Sequence, residues 1–207
     1  MKIVCAGMHR SGSTWLFNVV RVIFMENKAT IYSCFANKYD PENDAPFHIV
    51  KAHQFKQNIR DGANCIFTTC RDLRDVAASA VRRNLVENTP ESVERYLKEI
   101  VEREYEPWHR VSNYEVKYEE MYQQKPIVIS KIAKKLGVYA DPVKVAKTVE
   151  SLSIPSDPGG FDETTQLHYN HITNGIPNNY SITLSKGVIA TINLKFSPWL
   201  KRKGYIK

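Results

Sequence analysis

No stretch of the 207-residue chain comes near the roughly 18 consecutive apolar residues that a membrane helix needs, so no membrane span is expected. Cysteine is scarce. The four thiols, Cys5, Cys34, Cys65 and Cys70, include no Cys-x-x-Cys pair, which argues against a zinc ribbon or a disulfide framework. Cys5 and Cys65 lie in apolar, strand-like runs where buried free thiols are common, and a reducing, cytoplasmic compartment is the simplest reading. The N-terminus enters a strand-like segment directly, without a charged region followed by a long apolar one, so no signal peptide is expected. Repeats and low-complexity tracts are lacking, as are RNP, KH, zinc and helix-turn-helix signatures. A nucleic-acid module would have to rely on charge alone. That charge is modest: 29 Lys and Arg against 22 Asp and Glu give +7. It fits a solvated surface or an anionic ligand, including a small molecule with several phosphates. Hydrophobic residues at 43% and charged ones at 25% exclude a disordered chain, and residues 1–207 are expected to form one domain.

Apolar runs at 2–7, 47–52, 64–69 and 113–118 read as strands. Helical spacing appears at 13–25, 73–84, 90–106 and 126–136, from Asp141 onward, and from about 185 toward 201. Thr89 with Pro90 and Asp141 with Pro142 mark helix starts, and Pro198 should end or kink the last helix. Segment 36–46 is loop-rich, and 153–183 is a long loop, a type that is usually functional or mobile. Strands alternating with helices predict an α/β fold: three layers, with a mainly parallel central sheet and helices on both faces.

The turn after the first strand carries the clearest chemistry. Gly7 and Gly12 have the G-x-x-x-x-G spacing of a P-loop, and Arg10, Ser11, Ser13 and Thr14 lie in or beside it. Glycines let a backbone wrap an anion, and N–H groups at a helix N-terminus point toward it. A nucleotide P-loop has Lys where Ser13 stands, and that Lys reaches the β and γ phosphates. Its absence argues against an ATPase or kinase. The alternative is a glycine- and serine-rich turn that binds nothing.

A second anion site is read at the end of the strand 64–69. Arg71 sits at the strand end, Asp72 can cap the next helix, and Ser79 follows eight residues after Arg71, about two helical turns on. Arg71 and Ser79 can therefore converge on one phosphate, at the strand ends where open α/β sheets place ligands. The alternative is a solvated ion-pair cluster of Arg71, Asp72, Arg74 and Asp75.

In this order, the segments resemble the family of PAPS-dependent sulfotransferases, whose donor is 3′-phosphoadenosine 5′-phosphosulfate. His9 through Trp15 is similar to the family's first loop, Pro-Lys/Arg-Ser-Gly-Ser/Thr-Ser/Thr-Trp. Arg71 through Ser79 matches its 3′-phosphate motif. Val50 through His53 resembles the strand that carries the catalytic Lys and His, and Lys117 through Met121 the Tyr-Glu-Asp-Leu segment. Gly175 to Asn178 and the closing Trp199 to Tyr205 resemble the C-terminal pattern. His9 replaces the family's Pro, the C-terminal glycine signature is degraded, and only about forty residues separate Arg10 from His53.

The resemblance implies a P-loop nucleotide-binding type of fold and sulfuryl transfer from PAPS to a hydroxyl acceptor, with no metal required. It makes His53 the general base, with Arg10 and Lys51 as catalytic cations. Donor contacts fall to Arg10, Ser11, Gly12, Ser13, Thr14, Trp15, Arg71, Ser79 and Tyr118, with Trp15 and Tyr118 near the adenine. In-line transfer builds negative charge toward the leaving phosphate, so cations and positioning do most of the catalysis. A His suits proton abstraction near neutral pH, and Lys51 and His53 share a face if the strand continues that far. The acceptor is expected to be a small molecule or a glycan, its pocket shaped by 26–50 and 153–183; nucleic acid is not expected as a partner. Readings left open are a P-loop kinase, a polyanion-binding module and a donor-binding homologue without turnover.

Overall fold

The computed structural model describes residues 1–169, 171 and 175–207. Five parallel strands make the central sheet in the order β2-β3-β1-β4-β5: β1 Lys2–Ala6, β2 Ile31–Phe35, β3 Phe47–Ala52, β4 Cys65–Cys70 and β5 Tyr114–Lys117. The order reverses about β1. The chain runs outward to β2, returns through β3, then crosses to β4 and β5. The crevice at such a reversal is where open α/β sheets hold ligands.

Period-two alternation puts β1 side chains on both faces. Ile3 and Cys5 join Leu16, Val20 and Ile23 of α1 (Ser13–Glu26). Val4 and Ala6 pack with Val50, Ile66 and Trp108 on the other side. Helix α2 (Gln57–Arg60) is a single turn after β3, and α3 (Leu73–Arg82) follows β4. Helices α6 (Tyr118–Gln123), α7 (Lys125–Leu136) and α8 (Pro142–Glu150) follow β5, and α7 and α8 complete the α1 layer. Helix α9 (Lys186–Lys195) and α10 (Ser197–Lys203) pack on α3 and α4 (Pro90–Glu99). The fold class is the one expected: parallel sheet, helices on both faces.

Four details differ from expectation. Segment 26–50 holds the edge strand β2, whose half-exposed Ile-Tyr-Ser-Cys-Phe has no clean alternation to announce it. The helix read over 90–106 is three pieces: α4, a π-helical turn Ile100–Tyr105 and α5 (Glu106–His109). Pro107 explains the break, because it has no N–H for the carbonyl of Arg103, and that carbonyl accepts from Phe55 N instead. The loop 153–183 contains a small hairpin, β6 (Phe161–Asp162) against β7 (Leu167–His168). The last helix breaks at Phe196, and Pro198 starts α10 rather than kinking one long helix.

The register fixes the first loop. Cys5 pairs with Phe67, so Gly7 runs beside Thr69, and a Cβ on Gly7 would stand 2.0 Å from Thr69 Oγ1 and 3.0 Å from Thr69 N, at a φ of +152°. Gly7→Ala is therefore expected to lower stability by about 2 kcal/mol, since a backbone atom must give way and the conformation is strained for an L side chain. Urea unfolding of the two proteins measures it; an unchanged midpoint would contradict the close approach.

Candidate functional site

Every parallel strand from β3 to β5 delivers a side chain to the same rim. The loop Gly7–Gly12 leaves β1, His53 follows β3, Arg71 follows β4 and Tyr118 follows β5. They meet in a cleft of about 1220 Å³. A pocket for one small ligand is typically roughly 300–1,000 Å³, so this one has room for a nucleotide and a second molecule. Arg10, Gly12, Ser13, Thr14, Trp15, Lys51, His53, Arg71, Ser79 and Tyr118 all line it.

Ser11 does not line the cleft. Its hydroxyl donates to the carbonyl of Met8 at 2.6 Å and meets Thr69 Oγ1 at 2.6 Å, so this side chain braces the loop instead of offering a donor. Arg10 and Gly12 both take left-handed backbone, φ 63° and 88°. The loop thereby curls over the first turn of α1, whose N-terminus has no side-chain cap. The first N–H groups of a helix have no partner within it, so this end is an open anion cradle. Gly12 holds a φ of +88°, strained for an L side chain, and a Cβ there would press on Met121 Cε at 2.4 Å.

Lys51 is buried and its Nζ donates to Thr14 Oγ1 at 2.6 Å. Burial, and then nearby Arg10, lower its pKa to about 8, with Cys5 opposing. His53 Nδ1 lies 2.7 Å from the carbonyl of Gly7. A carbonyl only accepts, so Nδ1 carries the proton and Nε2 is the basic nitrogen. Burial first, then His9, Lys51 and Arg10, hold the ring's pKa well below the usual His value. Trp108 Nε1 donates to the His53 carbonyl at 2.9 Å and steadies the chain just past the end of β3. His53 thus lies one residue beyond the strand yet still shares the cleft with Lys51.

Arg71 is 4% exposed, with its guanidinium carbon 3.8 Å above the Tyr118 ring. One Nη1–H reaches the Arg10 carbonyl at 3.2 Å, whereas Nε and Nη2 are buried with no partner among the described residues. An unpaired buried donor on a cation is costly and calls for an anion. Beside it, Arg10 Nε donates to Ser79 Oγ at 2.9 Å. Arg10 is thereby tied to the second anion site while staying close enough to Lys51 to lower its pKa. The alternative cluster is resolved differently: Asp72 caps α3 and pairs with Arg74, while Asp75 accepts from the N–H groups of Asn178 and Asn179. Asp75 so pins the degraded C-terminal segment next to Arg71. Glu119 accepts from Asp72 N at 3.1 Å and from Tyr205 Oη at 2.9 Å, tying the Tyr118 segment and the C-terminus to the Arg71 turn.

Trp15 lines the cleft and also packs on the α1 core, with its buried Nε1 unpartnered among the described residues. Tyr118 Oη donates to the Gly175 carbonyl at 2.8 Å. His48 lies outside the cleft, held by Tyr39 Oη and the Asn43 carbonyl. Two features escaped the sequence reading. Phe35 and Asn37, from β2 and the turn after it, wall the cleft near His53. Glu104 takes residue 9 in hand from 95 positions away, and nothing local in the sequence announces that pairing.

No family model matches the chain, and no curated protein matches it in sequence. Solved structures do match. Retinol dehydratase in complex with androsterone and inactive cofactor PAP superposes with a TM-score of 0.67 at 16% identity, covering 97% of this chain and 80% of that one. Retinol dehydratase with retinol and PAP gives 0.62 at 16% identity, covering 97% and 81%. A mouse sulfotransferase complexed with PAP gives 0.66 at 15% identity, covering 97% and 84%. Over nearly its whole length, this chain has the fold of those PAP-bound proteins.

Proposed function

We propose that the protein is a PAPS-dependent sulfotransferase acting on a hydroxyl acceptor. The observation that carries this is Arg71: a buried guanidinium with two unpaired donor atoms, next to Ser79 and in the same cleft as the α1 cradle. One anion site suits any phosphate. Two in one aromatic-walled crevice suit a nucleotide phosphorylated at both ends of its ribose. The fold shared with PAP-bound proteins supports the same reading.

The bound donor supplies the sulfuryl group and a nucleotide phosphate as leaving group. The N–H groups at the start of α1, with Ser13 and Thr14, hold the 5′ end. Arg71 and Ser79 hold the 3′-phosphate, and Trp15 and Tyr118 flank the base. Lys51, kept extended by Thr14, offers positive charge where it grows on the leaving oxygen. His53 Nε2 takes the acceptor's proton. Transfer of radiolabelled sulfate from PAPS into a panel of phenols, alcohols and sugars, at trace Mg²⁺, tests the proposal. A kinase would instead move phosphate from ATP and need the metal; finding that would replace this reading.

The pH dependence follows from the two shifted groups. Lys51 loses its proton as pH rises through about 8, so kcat/KM should fall above that point. His53 is already neutral at pH 6.5, so the acid limb should lie below that value. Lys51→Arg should keep the charge and remove the alkaline limb. A rate flat to pH 10 in the wild type would take Lys51 out of the chemistry.

A further inference from the structure

The π-helical turn holds a carboxylate with no part in the reaction so far. Glu104 is 5% exposed, and both of its oxygens go to residue 9. Oε2 accepts from the His9 backbone N–H at 2.8 Å, and Oε1 stands 2.6 Å from His9 Nδ1. A carboxylate at that distance fixes Nδ1 as the protonated nitrogen and leaves Nε2 to accept. The His9 ring lies on the His53 ring, centroids 3.8 Å apart and 21° from parallel. Both rings line the main cleft with Phe35 and Asn37, and also the small pocket beside it, which Lys56 joins. Two imidazoles therefore stand side by side, each with Nδ1 tethered. The tethers differ. His53 is held by a carbonyl, which orients it; His9 is held by a buried carboxylate, which orients it and also stabilises the imidazolium. With both Nδ1 atoms occupied by the protein, Nε2 is the basic nitrogen of each stacked ring.

We propose that His9, held by Glu104, is a second general base. The inference rests on the sulfuryl-transfer reading and adds a catalytic dyad to it. In the step, His9 Nε2 uses its lone pair to bind the proton of the acceptor hydroxyl. The O–H electron pair forms the new oxygen–sulfur bond. The sulfur–oxygen bond to the nucleotide phosphate breaks, and its pair leaves with the phosphate. Glu104 stays ionised and accepts from Nδ1–H throughout. Only one ring carries the proton in any turnover, because two stacked imidazoliums repel each other.

Kinetics and ring-nitrogen NMR test this together. His53→Ala is expected to keep residual turnover, and the His9→Ala/His53→Ala double variant to fall about 10-fold or more below it. Equal rates for the single and double variants would overturn the proposal. In the NMR of the protein without substrates, His9 should be the Nδ1–H tautomer, and Glu104→Ala, which removes the acceptor, should release it to a mixture of both tautomers. An Nε2–H tautomer in the wild type, or an unchanged tautomer in the variant, would overturn it as well. If the wild type transfers sulfate to no acceptor, the function reading fails, and the NMR still judges the dyad.

Discussion

His53→Ala is expected to lower kcat about 10²-fold while leaving nucleotide affinity nearly unchanged, the scale of losing one positioned base. Among the described residues the ring's hydrogen bond is from Nδ1–H to the Gly7 carbonyl, at the mouth of the phosphate loop. Truncation could therefore disturb the loop as well as remove the base. His53→Asn separates the two effects. Its amide can still donate to Gly7, but it has no basic nitrogen. If the base matters, Asn falls as far as Ala; if only the loop matters, Asn restores the rate. Nucleotide binding by calorimetry completes the test, because the donor's contacts are assigned to other residues. A wild-type kcat in both variants would remove His53 from the mechanism.

The parts of this site that were legible in the sequence are those set by local geometry. Arg71 and Ser79 line one cleft because a strand end and two turns of helix fix their separation. Gly7 and Gly12 declare a tight loop whatever the rest of the chain does. Lys51 and His53 share a rim because His53 directly follows the end of β3, where Trp108 steadies the chain. What was illegible depends on distant partners or weak patterns. Arg10 reads as a cation for the bridging oxygen, and its tie to Ser79, 69 positions away on α3, is announced by neither segment alone. Ser11 reads as a donor to the ligand, yet Thr69, brought alongside by the β1–β4 register, claims its hydroxyl. The pairing of Glu104 with His9 requires a π-helical turn produced by Pro107 and visible only in three dimensions. Strand β2 hides because an edge strand is half exposed, and its alternation is blurred.

The Arg71 site carries the other large expectation. PAPS differs from adenosine 5′-phosphosulfate, and its product from AMP, only by the 3′-phosphate. Selection must come from contacts to that group. The wild type should prefer adenosine 3′,5′-bisphosphate over AMP by about 10-fold to 10²-fold, the worth of a charge-assisted hydrogen bond of roughly 1.5–3 kcal/mol. Arg71→Ala should nearly abolish the preference and leave AMP binding almost as it was. Ser79→Ala should reduce it less, since Ser79 is a neutral donor and already engages Arg10. Stability gives an independent check. Arg71 Nε and Nη2 are buried and unpaired without an anion. Arg71→Ala should therefore cost the free protein less than a buried, paired Arg would, because an unsatisfied cation goes with it. Saturating bisphosphate should then raise the melting temperature of the wild type well above that of the variant, by ligand linkage. Equal affinity of the wild type for the two nucleotides would sink the assignment of this site, because a buried cation with free donors that ignores the phosphate is not a phosphate site.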